Sequence, residues 1–258
     1  MVCELSVNLN AVALLRNRRN LPWPNVVDLG RIALDAGAIG LTVHPRPDQR
    51  HTRTSDVHEL SALLNSPDYA NKEFNLEGYP EERFLALCEE VKPEQVTFVP
   101  DLPGQETSDH GWDVQPNEEL LIQSIARMKD IGARVALFID ADDRLPELVK
   151  QVGADRVELY TGPYGGSPLE SARAKTALEA LASTAVAAES VGLEVNAGHD
   201  LTVANVPALA DAAPQIVEMS IGHGLTADAL TYGMAGSVKR FIAAMQDELP
   251  LFDEDDLF

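Results

Sequence analysis

The chain has 258 residues, 45% of them hydrophobic, and a formal net charge of −21 at pH 7. That length suits one large core, and the acidic balance argues against a nucleic-acid partner, whose phosphates the average surface would repel. No apolar run is long enough to cross a membrane, the N-terminus lacks a charged and then apolar leader pattern, and Cys3 and Cys88 stand far apart without C-x-x-C spacing; a soluble protein of the reducing cytoplasm is expected.

In chain order, LSVNL (5–9) reads as the first strand, with Asn8 and Asn10 at its end and the basic stretch LLRNRR behind it. A helix is expected over 25–36 and a strand over 39–43, IGLTV, which runs into HPRPDQRHTR. That segment gathers His44, Arg46, Arg50, His51 and Arg53 around one acid, Asp48. A local basic pocket of this kind overrides the acidic average and suits a small anion. Residues 1–53 as a whole hold seven arginines against four acids.

A helix over 54–65 leads to the strand EFNLE (73–77), which closes on Glu77, and a helix over 80–91 leads to QVTFV (95–99). After this fourth strand comes PDLPGQETSDHGWDVQP, too long for a plain connection and expected to act as a lid. The helix 117–131, the strand RVALFI (134–139), the helix 144–151 and the strand RVELY (156–160), bearing Glu158 and Tyr160, follow. The last units are a helix over 170–190, LEVNA (193–197) running into NAGHD, a helix over 203–212, IVEMSI (216–221) running into SIGHG, and a helix over 225–246. Glycine or proline stops precede several strands, as in DAGA, EVKPEQ, DIGARV, QVGADRV and SVGLEV, and suit helix C-caps that feed straight into the sheet.

Eight strands alternating with eight helices predict a parallel sheet, and in this length the simplest closure is a single (β/α)₈ TIM barrel over residues 1–246. An acidic tail, 247–258, follows it. An open doubly wound sheet is the alternative, without support from a G-x-G-x-x-G after the first strand.

In such a barrel, chemistry belongs at the C-terminal strand ends. Gly198 and Gly222 allow backbone N–H groups to approach a ligand, and Gly224 precedes a helix whose N-terminus favours an anion. Each G-H pair is also an ordinary turn; two of them, after strands seven and eight, mark the usual phosphate region of this architecture. His44 is a base or a core histidine, Glu77 a buried carboxylate or a rim salt bridge, and RNRR (16–19) a solvated face, an oligomer contact or part of the site. No lysine falls at a strand end, which argues against a Schiff-base aldolase. Histidine and glutamate remain for proton transfer, and arginine and glycine for phosphate. A metal held across strands by His44, Glu77, His199 and His223 stays open on spacing alone.

VNLNAVALLRNRR, LTVHPRPDQRH, FNLEG, VTFVPDLPGQETSDHGWDV, RVELYTG, VNAGHDLT and SIGH occur in this order at those strand ends. Together they resemble the pyridoxine 5′-phosphate synthase family, over nearly the whole chain up to about residue 246. The resemblance implies condensation of 3-amino-2-oxopropyl phosphate with 1-deoxy-D-xylulose 5-phosphate to pyridoxine 5′-phosphate, phosphate and water, without metal or organic cofactor, in a homo-octamer. It implies two phosphorylated small-molecule substrates and neither a nucleic-acid nor a membrane partner. It assigns His44 and Glu77 as proton acceptors, His199 as proton donor and Glu158 as the residue that stabilises the transition state. Asn8, Arg19, Gly222 and His223 match contacts to the aminoketone phosphate; Arg46, His51 and Thr107 match contacts to the deoxyxylulose phosphate. Asn10-Ala11 stands where the family usually has Asp-His against the latter substrate, and Asp200 where it usually has glycine beside the proton donor.

Two other functions fit the same residues. One is a cofactor-free lyase or isomerase acting on a single phosphorylated acyclic substrate. The other is a non-catalytic phosphate-ligand sensor, against which the three proton-transfer groups argue.

Overall fold

The computed structural model describes residues 3–19, 21–101, 104–105 and 107–246. The acidic tail expected over 247–258 lies outside them. Eight parallel strands close into a barrel in sequence order: β1 (Glu4–Asn8), β2 (Gly40–Val43), β3 (Glu73–Gly78), β4 (Gln95–Phe98), β5 (Arg134–Ile139), β6 (Arg156–Tyr160), β7 (Glu194–Gly198) and β8 (Ile216–Ile221). The seam is made by β1 and β8, with Val7 opposite Ile221.

The helices are α1 (Asn10–Asn17), α2 (Val26–Asp35), α3 (Thr54–Leu64), α4 (Glu82–Val91), α5 (Glu118–Asp130), α6 (Leu145–Gln151), α7 (Gly162–Gly165), α8 (Ala172–Ser190), α9 (Val206–Ala212) and α10 (His223–Met245). Eight of them match the sequence expectation; α1 and the single turn α7 were not expected. Asn25 starts α2 by accepting from the Val27 and Asp28 amides, and Ser171 does the same for α8 from Ala174. The expected stops hold: Gly37, Gly132, Gly153 and Gly192 take positive φ just past their helices. Where α4 lacks such a glycine, Lys92 itself adopts the left-handed conformation before Pro93.

The strands alternate with period two, and the alternation runs opposite to a greasy barrel interior. Leu5 and Val7, Leu41 and Val43, Phe74 and Leu76, Val96 and Phe98, Val157 and Leu159 are all buried in the apolar cluster shared with the helices. Each such side chain contributes roughly 1.5–3 kcal/mol by leaving water. The intervening residues are polar and meet each other inside the barrel. Ser6 shares a hydrogen bond with Thr42 at 2.8 Å, Asn75 donates to Thr42, and Thr97 donates to Asn75. Lower down, the Arg156 guanidinium spans the interior to Gln95, Asn196 and Glu218. Two residues further along the same inward-facing rows come Asn8, Glu77, Glu158 and Ser220. The strand pattern thus delivers carboxylates and amides to the C-terminal mouth while the apolar set holds the barrel to its helices.

Candidate active site

An open cleft of about 980 Å³ sits at the C-terminal mouth of the barrel. His44, Glu77, Glu158, His199, Asn8, Asn10, Arg46, His51, Thr107, Asp200, Gly222 and His223 all line it. Among the residues the sequence reading singled out, Arg19 does not: it lies exposed on the turn after α1. Its neighbour Arg16 is the buried one, donating to both Asp56 carboxylate oxygens and to the His51 carbonyl. Of the RNRR run, Arg16 therefore ties α1 to α3 and supports the segment that carries His51.

Beyond β2 the chain turns through Pro45 and Pro47, and His44 is buried at the mouth. Burial, followed by the positive charges of Arg46, His51, Arg83 and Arg50, holds its imidazole well below the usual histidine range, so it is neutral at pH 7. The backbone amide of His44 donates to Asn10 Oδ1, and the Thr52 hydroxyl donates to the same oxygen. Asn10 thus does its local work through an oxygen acceptor, which a carboxamide supplies as well as a carboxylate. His51 Nδ1 accepts from the Thr52 amide at 2.9 Å, which leaves its proton on Nε2 as a donor. Burial and the nearby Arg46 and Arg50 lower this imidazole to about 4.

Among the described residues Glu77 makes no ion pair with a cation; Asn8 Nδ2 donates to its two oxygens at 3.5 and 3.3 Å. Burial raises this carboxyl to about 7, opposed by the nearby His199 and reinforced by Asp101. Glu158, three strands along on β6, is pushed well above the carboxylate range by burial and then by the charges of Glu77 and Glu218. Its Oε2 is buried without a hydrogen-bond partner. Burial thus raises both carboxyls of the cleft, and the charge of Glu77 adds to the cost of ionising Glu158.

His199 sits against Tyr160, edge-on with ring centroids 5.4 Å apart, and against Phe138. Its Nε2 lies 3.3 Å from the Thr107 hydroxyl, and its Nδ1 lies 3.6 Å from Asp200 Oδ2, an ion-pair distance rather than a hydrogen bond. The backbone here is unusual, with φ of +95° at His199 and +56° at Asp200. Consecutive non-glycine residues with positive φ are costly and are held by their surroundings. Thr161 donates to both the Gly198 and His199 carbonyls, and Asn205 donates to the Asp200 carbonyl. Gly198 leaves no room for a side chain: a Cβ would come within 2.7 Å of Glu158 Oε1.

After β8, Ser220 Oγ and Thr226 Oγ1 are both buried without hydrogen-bond partners, flanking Gly222 and the first turn of α10. Gly224 packs its backbone against the Leu201 carbonyl, which locks the loops after β7 and β8 together. Unsatisfied hydroxyls beside a helix N-terminus form a donor-rich pocket for an anion. Among the described residues, no three His, Cys, Asp or Glu side chains are grouped to hold a metal ion, and no helix is long and apolar enough to cross a membrane.

Sequence reasoning missed Ser220, Ser108, Phe138 and Asp101. Only for Ser220 was a signal at hand, since it stands two residues beyond Glu218 on the same face of β8.

Residues 5–247 match the family model described as pyridoxal phosphate biosynthesis protein PdxJ. The chain belongs to the PdxJ family. The chain is 59% identical over 244 residues to a pyridoxine 5′-phosphate synthase of Mesorhizobium japonicum, a match covering 95% of this chain and 99% of that one. A pyridoxine 5′-phosphate synthase of Chelativorans sp. is 58% identical over 248 residues, covering 95% of this chain and all of the relative. As a PdxJ-family chain with such relatives, it is an enzyme of vitamin B6 biosynthesis. Among solved structures, phosphoribosyl anthranilate isomerase from Thermotoga maritima superposes with a TM-score of 0.61 at 15% identity, covering 94% of this chain and 99% of that one. That likeness speaks to the TIM-barrel fold.

Proposed function

We propose that this PdxJ-family enzyme condenses 3-amino-2-oxopropyl phosphate with 1-deoxy-D-xylulose 5-phosphate, forming pyridoxine 5′-phosphate and releasing phosphate and water. The observation that carries the reading is that His44, Glu77, Glu158 and His199 line one cleft, where burial holds the His44 imidazole low and raises the Glu77 and Glu158 carboxyls. Ring closure with loss of water and phosphate demands repeated proton transfers, and groups poised on either side of neutrality perform them efficiently.

In this reading His44 and Glu77 take protons, His199 returns one to a leaving oxygen, and the protonated Glu158 donates a hydrogen bond to charge developing in the transition state. The aminoketone brings its own amine, so the carbon–nitrogen bond forms without an enzyme lysine. Its phosphate sits at Gly222, His223 and Asn8, beside the unpartnered hydroxyl of Ser220. Arg19 joins this group only by swinging in from its exposed turn. The second phosphate sits at Arg46, the Nε2–H of His51 and Thr107. The exposed apolar side chains Leu14, Leu15 and Trp23 support assembly of several copies, with an octamer proposed on the family resemblance.

Substituting His44→Asn tests the reading. Calorimetry should show each phosphorylated compound still binding, with dissociation constants within about threefold of the unaltered enzyme, while turnover falls roughly 10²- to 10⁴-fold. Turnover that survives the substitution would overturn the assignment and favour another base, whereas an unaltered protein that binds both compounds without turnover would favour a ligand sensor.

A further inference from the structure

Asp101 has no role in the reading above, yet it stands where three parts of the site meet. It follows β4 directly and is buried, with its Oδ2 accepting from the Arg46 guanidinium and from the Ser108 hydroxyl at 2.7 Å. The same oxygen lies 3.8 Å from Nδ1 of His44, and its other oxygen, Oδ1, is buried without a hydrogen-bond partner. Arg46 also donates to the Gln105 carbonyl at 3.0 Å, so the pair ties the segment after β4 to the segment after β2.

We propose that Asp101 is the positioning residue of His44, orienting its imidazole through Nδ1. This rests on the proposed role of His44 as a base. For Nε2 to accept a proton, Nδ1 must carry one, and a carboxylate at Nδ1 fixes that tautomer and stabilises the imidazolium that forms. Arg46 and the unpartnered Oδ1 make the arrangement responsive. A phosphate dianion drawing on Arg46 loosens its hold on Asp101, and the carboxylate then has a free oxygen for the Nδ1–H of His44 at the moment both substrates are in place. The surroundings suit this, since the charges that act most strongly on His44 are those of Arg46, His51, Arg83 and Arg50, every one a cation or a base, and the carboxylate at ion-pair distance from its ring is Asp101. Asp101 is the carboxylate able to answer a positive charge on His44.

The test compares Asp101→Asn, Asp101→Glu and Ser108→Ala with the unaltered enzyme in the two-substrate reaction, measuring kcat, KM and the pH dependence of kcat/KM. Asp101→Asn keeps the shape and the neutral hydrogen bonds but cannot hold the Nδ1–H tautomer reliably. It should lower kcat roughly 10- to 100-fold, with KM for the deoxyxylulose phosphate changed less than about threefold. The groups facing Glu77 are His199, Asp101, Arg46, Asn8 and Glu158, and of these Asp101 is one that raises it. The acid limb of the profile should therefore move to lower pH in Asp101→Asn, a change that loosened packing alone does not produce. Asp101→Glu should recover part of kcat. Should Asp101→Asn fail to fold, Ser108→Ala, which removes one bond to the carboxylate, decides the matter with a several-fold fall in kcat at unchanged KM.

A folded Asp101→Asn enzyme with kcat within twofold of normal and an unmoved acid limb would overturn the proposal, as would an unchanged kcat in Ser108→Ala. An unaltered enzyme that forms no product from the two substrates would instead sink the reading of the reaction itself.

Discussion

Replacing Glu77 with glutamine should abolish turnover and at the same time make the protein more stable, but only at neutral and alkaline pH. Burial raises the Glu77 carboxyl from an ordinary 4.5 to about 7. Below 4.5 both folded and unfolded chains hold the proton, and nothing is lost. Between 4.5 and 7 the unfolded chain gives up its proton while the folded chain keeps it, so stability falls as pH rises. Above 7 the full cost is in place, roughly 3 kcal/mol at about 1.4 kcal/mol per tenfold change in proton affinity. Linkage gives about 1 kcal/mol at pH 5 and about 3 kcal/mol at pH 8. Glutamine escapes this cost; its Oε1 still accepts from Asn8, but its amide hydrogens find no assured partner, which costs about 1 kcal/mol. The net gain is then near zero at pH 5 and about 2 kcal/mol at pH 8, or roughly 4–8 °C in Tm for a chain of this size. Thermal melts of both proteins at the two pH values, alongside phosphate-release assays, measure it. An equal Tm difference at both pH values, or a loss of stability at pH 8, would refute the argument that Glu77 is held ionised at a cost to the fold.

Three further outcomes follow from the same geometry. The acid limb of kcat/KM should lie near pH 7, because Glu77 must ionise to act as a base and burial places it at about 7; a limb near 4.5 would mean another group sets it. Gly198→Ala should drop kcat at least tenfold and cost about 1–3 kcal/mol in a denaturant titration, because the new Cβ would lie 2.7 Å from Glu158 Oε1 and 3.1 Å from the Ser220 carbonyl. Arg16→Met strands the Asp56 carboxylate inside the protein and should cost roughly 3–5 kcal/mol, with much of it restored by adding Asp56→Leu; a single variant as stable as the parent would show that the pair is not a structural tie.

Most of the barrel is legible in the sequence because its strands are short apolar runs set between glycine stops, and each stop became a left-handed cap. The strand ends were legible for the same reason, so His44, Glu77, Glu158 and His199 fell where expected. What stayed hidden depends on closure of the barrel. Asp101 meets Arg46 across 55 positions, and only the neighbouring of β2, β3 and β4 brings them together. Helix α1 was obscured because it follows β1 after a single residue, with Leu9 at its N-cap and no side-chain cap to announce it. Its buried residues, Val12, Ala13 and Arg16, do have helical spacing, and that spacing distinguishes Arg16 from the exposed Arg18 and Arg19. The turn α7, GPYG, carries no good helix former, its proline being suited only to the first turn, so packing of Tyr164 rather than propensity holds it. Asp200, which stands where the family usually has glycine, places its carboxylate at the rim, half exposed, next to the His199 imidazole.

If one cleft joins two phosphorylated substrates by proton transfer through its own side chains, the most direct measurement follows inorganic phosphate and pyridoxine 5′-phosphate together, using purified, EDTA-treated protein with both substrates present and with each alone. Both products should appear in equal amounts from the pair, and neither from a single substrate. Phosphate released from one substrate alone, or no product from the pair with a folded protein, would contradict it.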